Sequence, residues 1–236
     1  MRKQLLTILA SLLLVLSFST FSNAASINIG VTGSLATIDA SGNEVENSDT
    51  DDTSTTKANV ENASIPVGAV FVEYESDFWG LTLGASHVPM SADVSKNVKE
   101  RNDSELSKTG TTAASAAART FKAQAEVENF NNIYIELPIM NNVFVRAGLA
   151  EIDVNTLEVA SSNGGSYGNT SLDGTQWGIG LKGDVGSNMG YKLFYEETDF
   201  DTLKLTSTGN SVASETNSLT ADMDISELKF ALSYKF

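Results

Sequence analysis

The sequence predicts an all-β fold, an eight-stranded antiparallel up-and-down transmembrane β-barrel. Three observations carry that expectation. Stretches with apolar residues at every second position recur eight times along the chain, which is the period of a strand with one apolar and one polar face. The connections between them run long, short, long, short, long, short, long. Most ionisable residues within the stretches fall on the parity opposite to the aliphatic ones, as in a barrel that turns its apolar face outward.

The first residues are not part of that pattern. Met1-Arg2-Lys3 is a short basic region, and residues 5–18 form an apolar run. Ser22-Asn23-Ala24 supplies small residues at a peptidase site, so residues 1–24 read as a secretory signal peptide cleaved after Ala24. Residues 25–236 are then one barrel domain. The apolar run is shorter than the ~20 residues a spanning helix needs. A mature chain that enters a membrane must therefore do so as a closed barrel, because lipid offers no partner to an open sheet edge.

Composition narrows the function classes. The 236 residues include no Cys, which excludes disulfides and thiolate metal sites. Formal net charge is −15; without Arg2 and Lys3 it becomes 13 basic against 30 acidic side chains, or −17. So acidic a chain lacks the basic patches that nucleic-acid phosphates require.

Taken in order, the first strand covers about 26–38, with Ile27, Ile29, Val31 and Leu35 on one parity. A polar segment, 39–63, follows. The second strand, 65–76, sets Val70, Val72 and Tyr74 against Glu73 and Glu75. The third, 79–90, carries Trp79, Leu81, Leu83 and Ala85 on one side, and 91–117 reads as a second polar loop. The fourth, 118–137, has apolar odd positions (Phe121, Ala123, Ala125, Val127, Ile133, Ile135, Leu137), interrupted by Asn129 and Asn131. Its even positions include Lys122, Gln124, Glu126, Glu128 and Glu136.

A turn at 138–142 leads into the fifth strand, where Val143, Val145, Ala147 and Leu149 alternate with Arg146 and Gly148. Residues 154–173 form a Gly/Ser/Asn-rich loop. The sixth strand, 174–185, sets Trp177, Ile179 and Leu181 against Gln176 and Lys182. After Gly186-Ser187-Asn188 the seventh starts at Met189, with Tyr191, Leu193 and Tyr195 against Lys192 and Glu196. Residues 200–222 are the last long connection. The eighth strand, 225–236, alternates Leu228, Phe230, Leu232, Tyr234 and Phe236 with Glu227, Lys229 and Lys235. Pro66, Pro89 and Pro138 fall near strand ends or in a turn, where a missing donor does least harm.

Aromatic residues sort by end. Tyr74, Trp79, Tyr191, Tyr234 and Phe236 lie toward the short turns; Phe121, Trp177 and Tyr195 lie toward the long loops. All eight share the outward parity, giving two girdles around an aliphatic band. A soluble barrel would also alternate, but with its apolar face inward; the unequal loops and the girdles favour the membrane arrangement.

The last strand carries a family resemblance. With Tyr234 and a terminal Phe236 on its apolar parity, the chain resembles the small outer-membrane β-barrels of Gram-negative bacteria, of the OmpA/OmpX type. The resemblance implies an outer-membrane location, four long extracellular loops and three short periplasmic turns. It implies contact with outer-membrane lipids and lipopolysaccharide. It also implies recognition of Tyr234 and Phe236 by the barrel-assembly machinery.

Parity places Glu73, Glu75, Lys122, Glu126, Glu128, Arg146, Lys182, Lys192, Glu196, Glu227 and Lys229 inside the barrel. An eight-stranded barrel is just wide enough for side chains to fill, so these should form a paired polar core. A narrow solute path is the alternative. An OmpW-type hydrophobic trough is disfavoured by so charged an inward parity. His87 is the only histidine, next to Ser86. Some outer-membrane barrels that modify lipid A use a His with a Ser, but neighbours in a strand face opposite ways, so these two should not meet. Asp49, Asp51 and Asp52 are the densest acid cluster, without the Gly and distal Glu of an EF-hand loop. The expectation is a structural or surface-interaction barrel with no catalytic, cofactor-binding or metal-binding residues; a porin-like channel comes second and a lipid A-modifying enzyme third.

Overall fold

A computed structural model describes residues 25–46, 54–77, 79–94, 99–103, 108–109, 112–113, 119–159, 166–208 and 216–236. The signal segment, residues 1–24, and the Asp49–Asp52 cluster lie outside them. Eight strands form the wall: β1 (Ser26–Glu46), β2 (Ser54–Glu75), β3 (Thr82–Val88), β4 (Arg119–Met140), β5 (Val143–Val159), β6 (Thr170–Val185), β7 (Met189–Phe200) and β8 (Ser218–Lys235). Each pairs antiparallel with the next, and β8 pairs with β1, from Asn28↔Lys235 to Val45↔Ser218. That closure leaves no sheet edge at the β1–β8 join, which is what a sheet in lipid requires. Short pieces extend the wall: Ala92–Asp93 and Lys99–Asp103 lie against β4, and Leu203–Thr206 lies against β8.

The faces sort as the alternation predicts for most of the wall. Leu35 (62%) and Phe230 (48%) are exposed on the outside, while Glu73 (1%) and Glu196 (0%) are enclosed. The protein is inside-out relative to a soluble barrel, with aliphatic side chains outward and charges inward. This is the architecture of a small outer-membrane barrel. At the short-turn end, Tyr234 and Phe236 pack edge to face with ring centres 4.9 Å apart. At the other end Trp177 and Tyr195 do the same at 6.2 Å. The Phe121 side chain lies outside the described set.

Four expectations need correction. First, most strands are longer than their apolar runs. The polar segment 39–63 is mostly ladder: Ala40↔Val60 to Glu46↔Ser54 continue the β1–β2 pairing beyond the apolar belt. Likewise β5 runs to Val159, β6 starts at Thr170 and β8 at Ser218. Outside lipid both faces are wet, so backbone pairing continues with no apolar period to announce it. β3 is shorter than expected, starting at Thr82 after a tight turn through Trp79 (φ 55°) and Gly80 (φ 65°).

Second, β4 contains a bulge. Glu128 pairs with Asp153 but Asn131 pairs with Glu151, so β4 spends one extra residue there. Asn129 takes φ 52°, a left-handed conformation that Asn tolerates better than most residues. The extra residue reverses the parity beyond it. Val127 is therefore buried inside, and Glu126 and Glu128 face outward, contrary to the simple alternation. Asn155 Nδ2, on the outer face of β5, donates to Glu128 Oε1 at 2.8 Å. The Lys122 side chain is outside the described set.

Third, β4 continues through Pro138 to Met140, and the turn is only Asn141-Asn142. Pro66 likewise sits inside β2, paired with Leu35, rather than at a strand end. The fourth correction concerns the interior.

Candidate functional site: the barrel interior

The interior has two layers. The layer nearer the short turns is ionic. Cross-strand register sets Glu136 beside Arg146, Arg146 beside Gly178, Gly178 beside Glu196 and Glu196 beside Glu227 around one level of the wall. Because paired residues share a face, all of these point into the lumen. Gly178 has no side chain, so Arg146 can reach across β6 to Glu196.

The contacts are close. Arg146 donates from Nη2 to Glu136 Oε1 at 2.5 Å, from Nε to the same oxygen at 3.1 Å, and from Nη1 to Glu196 Oε2 at 3.0 Å. Lys192 Nζ binds Glu73 Oε1 at 2.5 Å and Glu136 Oε2 at 2.7 Å. Lys229 bonds to Glu196 Oε1 and pairs with Glu227 Oε2 at 2.7 Å. Ser34 Oγ donates to Glu227 Oε1 at 2.8 Å, and Tyr134 Oη donates to Glu73 Oε1 at 2.9 Å. Four carboxylates thus face three cations, each buried and each held by more than one partner. Buried charges persist in this form because each would be costly alone.

Rings pack between the charges. The Arg146 guanidinium lies 3.7 Å from the centre of the Tyr134 ring and 4.3 Å from that of Phe194. Phe144 and Phe194 are tilted together at 5.8 Å. Tyr134 fits because its neighbour across the ladder is Gly84; a Cβ there would stand 2.3 Å from the ring. A void among these groups, bordered by Glu73, Ser86, Tyr134, Arg146 and Lys192, is about 10 Å³, roughly the room of one water.

The layer nearer the long hairpins is apolar. Ala36, Ile38, Val88, Val127, Phe130, Ile152, Val154, Leu172, Phe200, Met223 and Ile225 belong to one buried cluster. Phe130 and Phe200 meet at 6.0 Å. The expected paired polar core therefore occupies only the layer nearer the short turns, and the rest of the described interior is mainly apolar. Ala36, Ile38, Met223 and Ile225 continue the inward parity of β1 and β8 beyond the charged residues, and the β4 bulge turns Val127 inward to join them.

Of the residues expected inside, Glu73, Arg146, Lys192, Glu196, Glu227 and Lys229 come together in one network. Lys182 and Glu75 form a separate pair at 3.5 Å near the short turns. Glu126 and Glu128 do not join. Tyr134, Ser34, Phe71, Phe144 and Phe194 were not anticipated, although each lies on an inward parity that the sequence displays. Ser86 points inward and donates to Asn132 Oδ1 at 2.7 Å, whereas His87 pairs across the outer face with Val70 and Asn131, its Nδ1 2.8 Å from Asn131 Oδ1. The two occupy opposite faces of β3, as the strand period requires.

No protein-family model matches the sequence, and no curated protein matches it. Solved structures with a similar course of the chain include outer-membrane protease OmpT from Escherichia coli (9% identity, 92% of this chain and 99% of that one, TM-score 0.47). Ail, the attachment invasion locus protein of Yersinia pestis, solved with the heparin analogue sucrose octasulfate, is another (12%, 90% and 97%, TM-score 0.41). A third is outer membrane protein AlkL in lipid bilayers (12%, 92% and 93%, TM-score 0.42). With identities this low and TM-scores below 0.5, the chain's role rests on its own geometry.

Proposed function

We propose that this is an integral protein of the Gram-negative outer membrane with a structural and surface-contact role: a closed barrel that anchors raised hairpins at the cell surface. The observation that carries the reading is the ionic layer. Arg146, Lys192 and Lys229, with the four carboxylates and three Phe rings, pack across the lumen at this level, and the void among them is about 10 Å³. Hydrated ions and sugars need far more room. Beyond the belt the β1–β2 hairpin continues for about eight residues per strand, roughly 25 Å of polar ladder. Lipid and lipopolysaccharide surround the aliphatic wall, and the assembly machinery reads Tyr234 and Phe236.

Planar-bilayer recording tests the closed state. Wild-type protein gives no discrete openings, whereas Arg146→Ala, which removes the largest side chain of the plug, admits small ions intermittently. Reproducible openings in the wild type would favour the narrow-channel alternative. For the assembly step, a chain lacking Phe236 inserts slowly in cells; insertion at the normal rate removes that part of the reading.

A further inference from the structure

The wall is not stitched evenly. β2 pairs with β1 over nearly its whole length but with β3 only from Val70↔His87 to Glu75↔Thr82. Past Val88 the chain leaves β2, and Ala92–Asp93 pairs with β4. Among the described residues, Ile65–Ala69 therefore have no strand partner on the β3 side. Pro66 stands on one bank of this seam and Pro89 on the other. Neither has an N–H to offer a rejoined ladder.

Apolar space lies on both sides of the seam. Inside is a cavity of about 40 Å³, bordered by Ile65, Val67, Val88, Ala92, Phe130 and Ile152. Outside is a groove of about 540 Å³ running past Gly33, Gly68, Leu193, Leu228 and Phe230 in the aliphatic belt. Val67 and Met90 border both spaces. The Met90 methyl group lies across Gly68, 3.2 Å from where a Cβ would stand, so a small residue at 68 makes the room that Met90 occupies. An unbranched thioether chain changes rotamer readily and tolerates varied neighbours.

We propose that the β2–β3 seam binds an acyl chain of a membrane lipid, which lies in the outer groove and reaches the inner cavity when Met90 swings aside. The groove opens onto the rows formed by Val31, Leu228, Phe230 and Leu193, so lipid chains are what cover it in the membrane. Among the described residues that line it, the ionisable one, Lys229, is turned inward to Glu196 and Glu227 and offers no site for a headgroup. The site goes beyond the closed-barrel reading and does not depend on it, because the seam opens sideways through the wall and not along the barrel axis.

Photolabelling tests it. The protein is refolded in vesicles containing a phospholipid with a diazirine in its acyl chain, irradiated and mapped by peptide mass spectrometry. The expected result is label on the inward-facing residues Val67, Val88 or Phe130 as well as on the outer wall. In Gly68→Leu, which fills the groove, and in Val67→Phe, which fills the inner passage, inward labelling falls at least fivefold while labelling around Leu181 is unchanged. Heat-modifiable gel migration confirms that each variant used is folded. Label confined to outward-facing residues in the wild type overturns the proposal. So does inward label that survives in a folded variant. A free diazirine-bearing alkanol is run in parallel; inward labelling by the alkanol and not by the lipid also overturns it.

Discussion

Arg146 on β5 and Glu196 on β7 are separated by a whole strand, yet their side chains meet at 3.0 Å over the backbone of Gly178. That bond ties β5 to β7 across β6, and the same guanidinium also holds Glu136 on β4. Arg146→Met should strip both carboxylates of a buried partner and destabilise the barrel by about 3–5 kcal/mol. The control is Asp184→Asn, which breaks the more exposed Lys235–Asp184 pair and should cost about 1 kcal/mol or less. Urea unfolding from lipid vesicles measures both; equal losses would deny the network its special role.

Leu181 and Lys182 are neighbours on opposite faces of β6. Leu181→Arg puts a cation against lipid and should cost about 2–4 kcal/mol. Lys182→Leu acts only inside, by removing one of the two lysines paired with Glu75. In vesicle unfolding, a dependence on bilayer thickness should appear for the first variant and not for the second. The reverse pattern would invert the assignment of faces.

The β4 bulge yields a sharper test, because simple alternation predicts the opposite outcome. Val127→Glu should place a carboxylate in the apolar layer and lower stability by several kcal/mol. Glu126→Val changes an outward-facing residue beyond the bulge and should stay within about 0.5 kcal/mol. Unfolding midpoints that ranked these two in the opposite order would place the parity change elsewhere.

Much of this was legible in the sequence, for a physical reason. Inside the membrane one face of each strand must be apolar, so Leu228, Phe230 and Leu232 declare the strand, its register and its outward face together. Above the membrane that constraint ends, and residues 40–45 pair with both β2 and β8 without any apolar period to reveal it. The bulge was half visible: Asn129 and Asn131 interrupt an apolar parity, and one inserted residue accounts for the interruption. The ionic cluster was readable as a set of inward residues. Which acid meets which base was not, because it depends on register across strands that are far apart in sequence. Gly84 and Gly178, which admit Tyr134 and Arg146, signal nothing until their ladder partners are known.

A pH dependence follows from the outer wall above the belt. Asp224 lies between Asp39 and Asp199 across the β1–β8–β7 ladders. A hydrogen bond shared with Asp199, then partial burial and the nearby charges of Asp199, Asp222 and Asp39, push its carboxyl up to about 6. A carboxyl raised in the folded state binds its proton more tightly there than in the unfolded chain. Its contribution is therefore most favourable at low pH and declines as pH rises from the ordinary aspartate range through about 6. The site is largely exposed, so the effect is small and screened by salt. Denaturation midpoints from pH 4 to 7 should fall more steeply for the wild type than for Asp224→Asn; parallel curves would remove Asp224 as the cause.

The most direct measurement is gel migration of the detergent-purified protein with and without boiling. A closed barrel sewn by the β1–β8 ladder stays folded in cold detergent, and the unboiled sample runs as a compact band apart from the boiled one. A single band at one position under both conditions, from protein that remains dissolved when the detergent is removed, would contradict an inside-out barrel.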